Sequence, residues 1–129
     1  MRPIHALLAA GLIACCAASN GAAQAAAEQR VELSNFDFTP HELHLRAGQP
    51  TTLVLTNVAS GGHDFAAPEF FAAAQVQASD AGLVVEGEID VPAMSTRTVH
   101  LVPAAGTYKL TCTHMMHAMF GMRGKIVVE

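Results

Sequence analysis

From Val31 to Val128 the chain is written in short runs whose apolar side chains take alternate positions, and Gly, Pro or Asn closes most of them. A period of two places successive side chains on opposite faces of an extended strand, so each run buries one face and wets the other. Val31-Glu32-Leu33 opens the pattern, which breaks at Asn35 and resumes with Phe36 and Phe38 before Pro40. Glu42 to Arg46 alternates through Leu43 and Leu45 and ends in the turn Ala47-Gly48-Gln49-Pro50. Thr51 to Asn57 is β-branched and apolar, and Ser95 to Val102 sets Thr96, Thr98 and His100 against Arg97, Val99 and Leu101. Pro103 to Gly106 turns the chain, and two last strands are predicted over Thr107 to Cys112 and Gly124 to Val128. So many short strands at close spacing predict an all-β domain, a sandwich or a barrel.

The middle departs from this rhythm. Pro68 through Val76 begins with Pro and continues through good helix formers, which predicts one short helix. It lies between the strand ending at Asn57 and another expected near Val84 to Val91. Along that second strand Glu86, Glu88 and Asp90 alternate and read as a solvated face. His41, His44 and His100 lie on or beside strands whose apolar face is made by other residues, so they are expected in solvent.

Residues 1–27 carry a different signature. Arg2 gives a positive start, Ala6 to Ala18 an apolar run, and Ala23-Gln24-Ala25 or Ala25-Ala26-Ala27 a small-x-small cleavage site. This predicts a secretory signal peptide cut near 25–27, one domain over 28–129, and a periplasmic destination. The apolar run is shorter than the ~20 residues a membrane span needs. Leu12-Ile13-Ala14-Cys15 resembles a bacterial lipobox, and its use would instead tether the protein through Cys15. Conventional cleavage removes Cys15 and Cys16 and leaves Cys112, which has no partner for an internal disulfide in an oxidising compartment. It also removes Arg2, leaving six basic against eleven acidic groups. That acidic balance, without a Lys/Arg cluster, gives no support for nucleic acid or anionic membranes as partners.

The chain holds seven His and six Met, and four of the Met fall between 115 and 122. In that stretch Cys112, His117 and Met122 present a thiolate, an imidazole and a thioether at equal gaps. His63, in Gly61-Gly62-His63-Asp64-Phe65, offers a second imidazole upstream. Two His and one Cys with a long axial Met form the ligand set of a blue-copper site. Thiolate and thioether favour Cu(I) while imidazole also suits Cu(II), so such a compromise holds both states with little rearrangement. Zinc accepts Cys and His but gains little from the Met.

On these residues the sequence resembles the cupredoxins, above all the small bacterial plastocyanin- and azurin-like copper proteins. The likeness is strongest in Tyr108–Val128, which is similar to the family's Tyr-x-x-x-Cys-x-x-x-x-His-x-x-x-Gly-Met-x-Gly-x-Ile-x-Val ending. Phe38-Thr39-Pro40, Gly48 and the strand ending at Asn57 resemble its first half. The resemblance implies a Greek-key β-sandwich with the short helix in its middle insertion. It also implies one copper per chain, held by His63, Cys112, His117 and Met122. Asp64 stands where the family often has Asn, and is expected to accept a bond from Thr113 or a backbone N–H while adding negative charge near the metal. Phe65 is expected to pack beneath the site.

Two functions fit, and both are non-enzymatic. One is an exported one-electron carrier exchanging electrons with a redox partner such as a cytochrome. The other is a periplasmic copper handler serving resistance, storage or delivery, with a copper donor or acceptor protein as partner. His114, Met115, Met116 and Met119 separate them: they form either an apolar docking patch around His117 or a weak extra Cu(I) site. A binuclear centre needs two loop cysteines and Cys112 has no partner there, and no nucleophile triad or phosphate loop anchors another chemistry.

Overall fold

A computed structural model describes residues 24–114 and 122–129. Among the described residues ten strands form two five-stranded sheets. The first orders β2 (Asp37–Thr39), β1 (Ala27–Ser34), β4 (Thr51–Asn57), β8 (Thr96–Val102) and β6 (Gln75–Val76). The second orders β3 (Glu42–Leu45), β10 (Arg123–Val128), β9 (Gly106–Thr111), β5 (His63–Ala66) and β7 (Glu88–Val91). Two pairings are parallel, β1 with β4 and β3 with β10; the rest are antiparallel. The fold is the expected β-sandwich with one short helix, α1 (Pro68–Ala73).

Burial follows the period-two pattern. In β8 Val99 and Leu101 are buried while Thr96, Thr98 and His100 face water. In β1 and β4, Val31, Leu33, Leu53 and Leu55 are sealed against Leu43, Leu110 and Ile126 of the other sheet's core face. An aromatic group fills the middle of this core. Phe65 meets Phe38 and Phe71 edge to face, with ring centroids 6.1 and 6.0 Å away, and Phe70 lies 5.5 Å from Tyr108. Such contacts add about 0.5–1.5 kcal/mol each beyond the buried area.

The middle segment differs from its prediction in two places. The helix stops at Ala73 instead of running to Val76. Ala74 is extended (φ −78°, ψ 156°), and Gln75 and Val76 pair with Val102 and Leu101 at the sheet edge. A sheet edge with open hydrogen-bonding groups thus overrides local helix propensity. The expected strand near Val84 to Val91 begins only at Glu88, because Glu86 (φ 52°) and Gly87 (φ 81°) form a tight turn. At Gly87 a Cβ would lie 2.4 Å from the Pro68 Cα, and its carbonyl accepts the Ala67 N–H at 3.0 Å. Glu86 therefore belongs to a turn, and only Glu88 and Asp90 lie on the strand. A 3-10 segment, Ala78–Leu83, fills the remaining space; Asp80 Oδ2 there accepts the His100 N–H at 2.8 Å.

Candidate metal centre

The second sheet brings two distant parts of the chain to one end of the sandwich. β5 runs antiparallel to β9, with Ala66 opposite Thr111, so His63 and Cys112 arrive at the same end. β9 and β10 stay paired as far as Thr111 and Arg123, and beyond them the Cys112 N–H donates to the Met122 carbonyl at 3.2 Å. Cys112 and Met122 thereby flank the two ends of one hairpin loop. His63, Cys112 and Met122 are all buried.

His63 Nδ1 lies 3.8 Å from Cys112 Sγ. Taking zinc bond lengths of about 2.0 Å to nitrogen and about 2.3 Å to sulfur as the measure, a trigonal ion separates its two donors by about 3.7 Å. The observed spacing therefore suits two donors sharing one ion. With a thiolate and a thioether in the donor set, the chemistry fits copper. His117 and three of the Met (115, 116 and 119) lie outside the described residues.

The sulfur is held from the backbone side. The Asp64 N–H donates to Cys112 Sγ at 3.5 Å. Burial pushes the Cys112 thiol up from its ordinary range, and the backbone N–H groups of Asp64 and His114 pull the other way. Metal entry must therefore displace a proton held more firmly than in water.

Asp64 makes both of the bonds expected of it. Its Oδ1 accepts the Thr113 N–H at 2.7 Å, and its Oδ2 accepts the Thr113 hydroxyl. A buried carboxylate thus ties the strand carrying His63 to the loop carrying Cys112, a device that fixes ligand orientation. Phe65, fully buried, packs in the core next to these residues in the chain.

Asn57 was legible only as the end of a strand, yet it organises the approach to His63. Its Nδ2 donates to the carbonyls of Gly61 and Val91, and its Oδ1 accepts the Ala59 N–H, each at 2.9 Å. The signal was an amide ending an apolar run just before Val58-Ala59-Ser60-Gly61-Gly62, a turn that needs donors and acceptors. His41 and His44 are exposed, as expected, and His100 is exposed while bonding Asp80 through Nδ1 at 2.7 Å.

The model of the cupredoxin-like domain family matches residues 5–128. The chain is a member of the cupredoxin-like family. Among solved structures this cupredoxin resembles auracyanin B, with a TM-score of 0.60 and 22% identity over 81% of this chain and 89% of that one. It also resembles dithionite-reduced auracyanin from the photosynthetic bacterium Roseiflexus castenholzii (TM-score 0.59, 18% identity, 82% and 98% covered). The McoA multicopper oxidase of the hyperthermophile Aquifex aeolicus shares the fold too, at a TM-score of 0.61 and 16% identity over 81% of this chain, which spans 29% of the oxidase. At these identities the likeness establishes the fold. No curated protein matches the chain by sequence. Cupredoxins bind copper, and the three described donors stand where one such ion fits. Among the described residues no helix is long and apolar enough to cross a membrane.

Proposed function

We propose that this cupredoxin is a one-electron carrier with a single type 1 copper held by His63, Cys112, His117 and an axial Met122. The observation that carries the reading is the buried Nδ1–Sγ pair at 3.8 Å, braced by the Asp64–Thr113 clamp. Copper supplies a one-electron couple between its +1 and +2 states. The chain's own residues make that couple usable. Cys112 and Met122, both buried, exclude water, and Asp64 and Asn57 hold the two ligand segments in position. A braced donor set rearranges little between oxidation states, which suits electron exchange with a protein partner.

The domain division belongs to the same reading: residues 1–27 form an export signal cut near 25–27, and residues 28–129 work in the periplasm. On conventional cleavage Cys15 leaves with that segment, whereas use of the Leu12–Cys15 lipobox would tether the protein instead. A carrier needs no second copper centre and no substrate pocket, so we assign no enzymatic activity.

The test is the visible and EPR spectrum of the chain loaded with Cu(II). An intense visible band is expected, and Cys112→Ala abolishes it; survival of the band would remove the thiolate from the ligand set. Met122→Leu is expected to retain copper and raise the potential, because a weak donor to Cu(II) is lost. An unchanged potential would take Met122 out of the axial role.

The density of Met115, Met116 and Met119 beside His114 favours a second reading, copper handling. Rapid, reversible exchange with a cytochrome supports the carrier, whereas ready transfer of copper to a chelator supports the handler. Copper stoichiometry under reducing conditions decides the extra Cu(I) site. One per chain, unaltered in a His114/Met115/Met116 triple mutant, removes it.

A further inference from the structure

His114 has a place in this arrangement that the carrier reading does not use. The β5–β7 register sets Asp64 directly across from Asp90, so two carboxylates share one face of the sheet. Like charges opposite one another destabilise a strand pair unless a third group lies between them. His114 does so: its Nε2 stands 3.7 Å from Asp64 Oδ2 and 3.5 Å from Asp90 Oδ1. The same edge of the ring lies close to Gly62, where an added Cβ would come within 3.3 Å of His114 Cε1. Its centroid lies 6.4 Å from that of His63, and the preceding residue, Thr113, is clamped to Asp64.

We propose that His114 is a positioning residue that walls the His63–Cys112 site on its β5–β7 side and sets how fast reagents reach the buried sulfur. The ring is held beside the carboxylate pair and close to Gly62, so it leaves only when the two carboxylate approaches open. This deepens the copper reading, since access to the sulfur also governs metal exchange, but the test needs no copper.

The metal-free full chain is treated with iodoacetamide across a range of pH. The Cys112 thiolate displaces iodide and forms a carbon–sulfur bond, read on the Cys112 peptide by mass spectrometry so that Cys15 and Cys16 do not contribute. The high-pH plateau of the rate reports access, and the midpoint reports the thiol's own proton affinity. His114→Ala is expected to raise the plateau about five-fold or more with the midpoint unmoved, as loss of local protection does. Asp90→Asn, which alters only an exposed side chain, is expected to raise it in the same direction by less. Amide exchange in β1 and β4 stays at its native rate in both.

Native plateaus in both variants overturn the proposal, as does a shifted midpoint without a changed plateau, or faster exchange throughout β1 and β4. Should His114→Ala fail to fold, a native plateau in Asp90→Asn overturns it alone. A missing visible band in the Cu(II) protein would defeat the copper reading and leave these rates as they are.

Discussion

Strands β8 and β5 are built on opposite rules. β8 alternates as a sandwich strand should, with Val99 and Leu101 in the core and Thr96, Thr98 and His100 in water. In β5 all four residues are buried, including an imidazole and a carboxylate. Burying such groups costs stability unless each finds a partner. Asp64 finds Thr113 and His114, and His63 Nδ1 faces the Cys112 sulfur. The difference teaches where function sits in this fold. A strand that only holds up the sandwich can follow the simple pattern, whereas the strand that bears the candidate donor His63 breaks it and is supported by residues far away in sequence.

The contrast can be broken by substitution, starting at its most sensitive point. Phe65→Ala removes the ring that packs against Phe38 and Phe71 beneath the ligand strand, and is expected to cost about 3–5 kcal/mol in denaturant unfolding. A loss under about 1 kcal/mol would mean that β5 is held mainly by its polar bonds.

Asp64→Ala comes next. It leaves the Thr113 N–H and hydroxyl without their acceptor, at about 1–3 kcal/mol, and loosens Cys112 from His63. Asp64→Asn keeps an acceptor for the Thr113 N–H and is expected to lose less. Equal losses in the two variants would show that the charge, not the clamp, matters to folding.

On the β8 side the polar bonds are at the surface, and their effects are small. The His100 N–H and imidazole hold the Asp80 carboxyl below its ordinary value of 3.8, chiefly through the backbone bond. A depressed carboxylate pKa contributes stability that is present above pH 3.8 and fades as pH falls through the lower folded value. Asp80→Asn is therefore expected to flatten the acid limb of the stability curve in titrated thermal unfolding, with little change below that limb. Thr98→Ala, on the wet face of β8, is expected to change stability by no more than about 0.5 kcal/mol. A larger loss would mean that this face is covered by a partner.

How much of this was legible follows from the range over which each signal acts. The boundaries of β4 and the alternation of β8 could be read directly, because a half-buried strand records its two faces in adjacent residues. Helix propensity over Pro68 to Val76 runs past the real end at Ala73, since the pairing of Gln75 and Val76 with β8 depends on residues 101 and 102. Val84 to Gly87 looked like strand because apolar content does not show that Glu86 and Gly87 take left-handed backbone angles. At the site, the donors Cys112 and Met122 stood out by chemistry and spacing. Their supports did not: Asn57 and the ring of His114 are ordinary polar residues until their neighbours are known.

The sequence by itself determined that this is an all-β chain, and set a thiol, imidazoles and a thioether in a pattern that resembles a copper ligand set. Side-chain type and short-range period are local properties, so one dimension is enough to carry them. Only the tertiary structure decided that His63 meets Cys112, that a buried Asp64 clamps Thr113, and that His114 stands between two carboxylates over Gly62. Asp64 and Thr113 are 49 residues apart, and no local pattern encodes a hydrogen bond across that distance. The register of β5 against β7 and β9 brings those groups within reach, and cooperative packing of the whole sandwich sets that register.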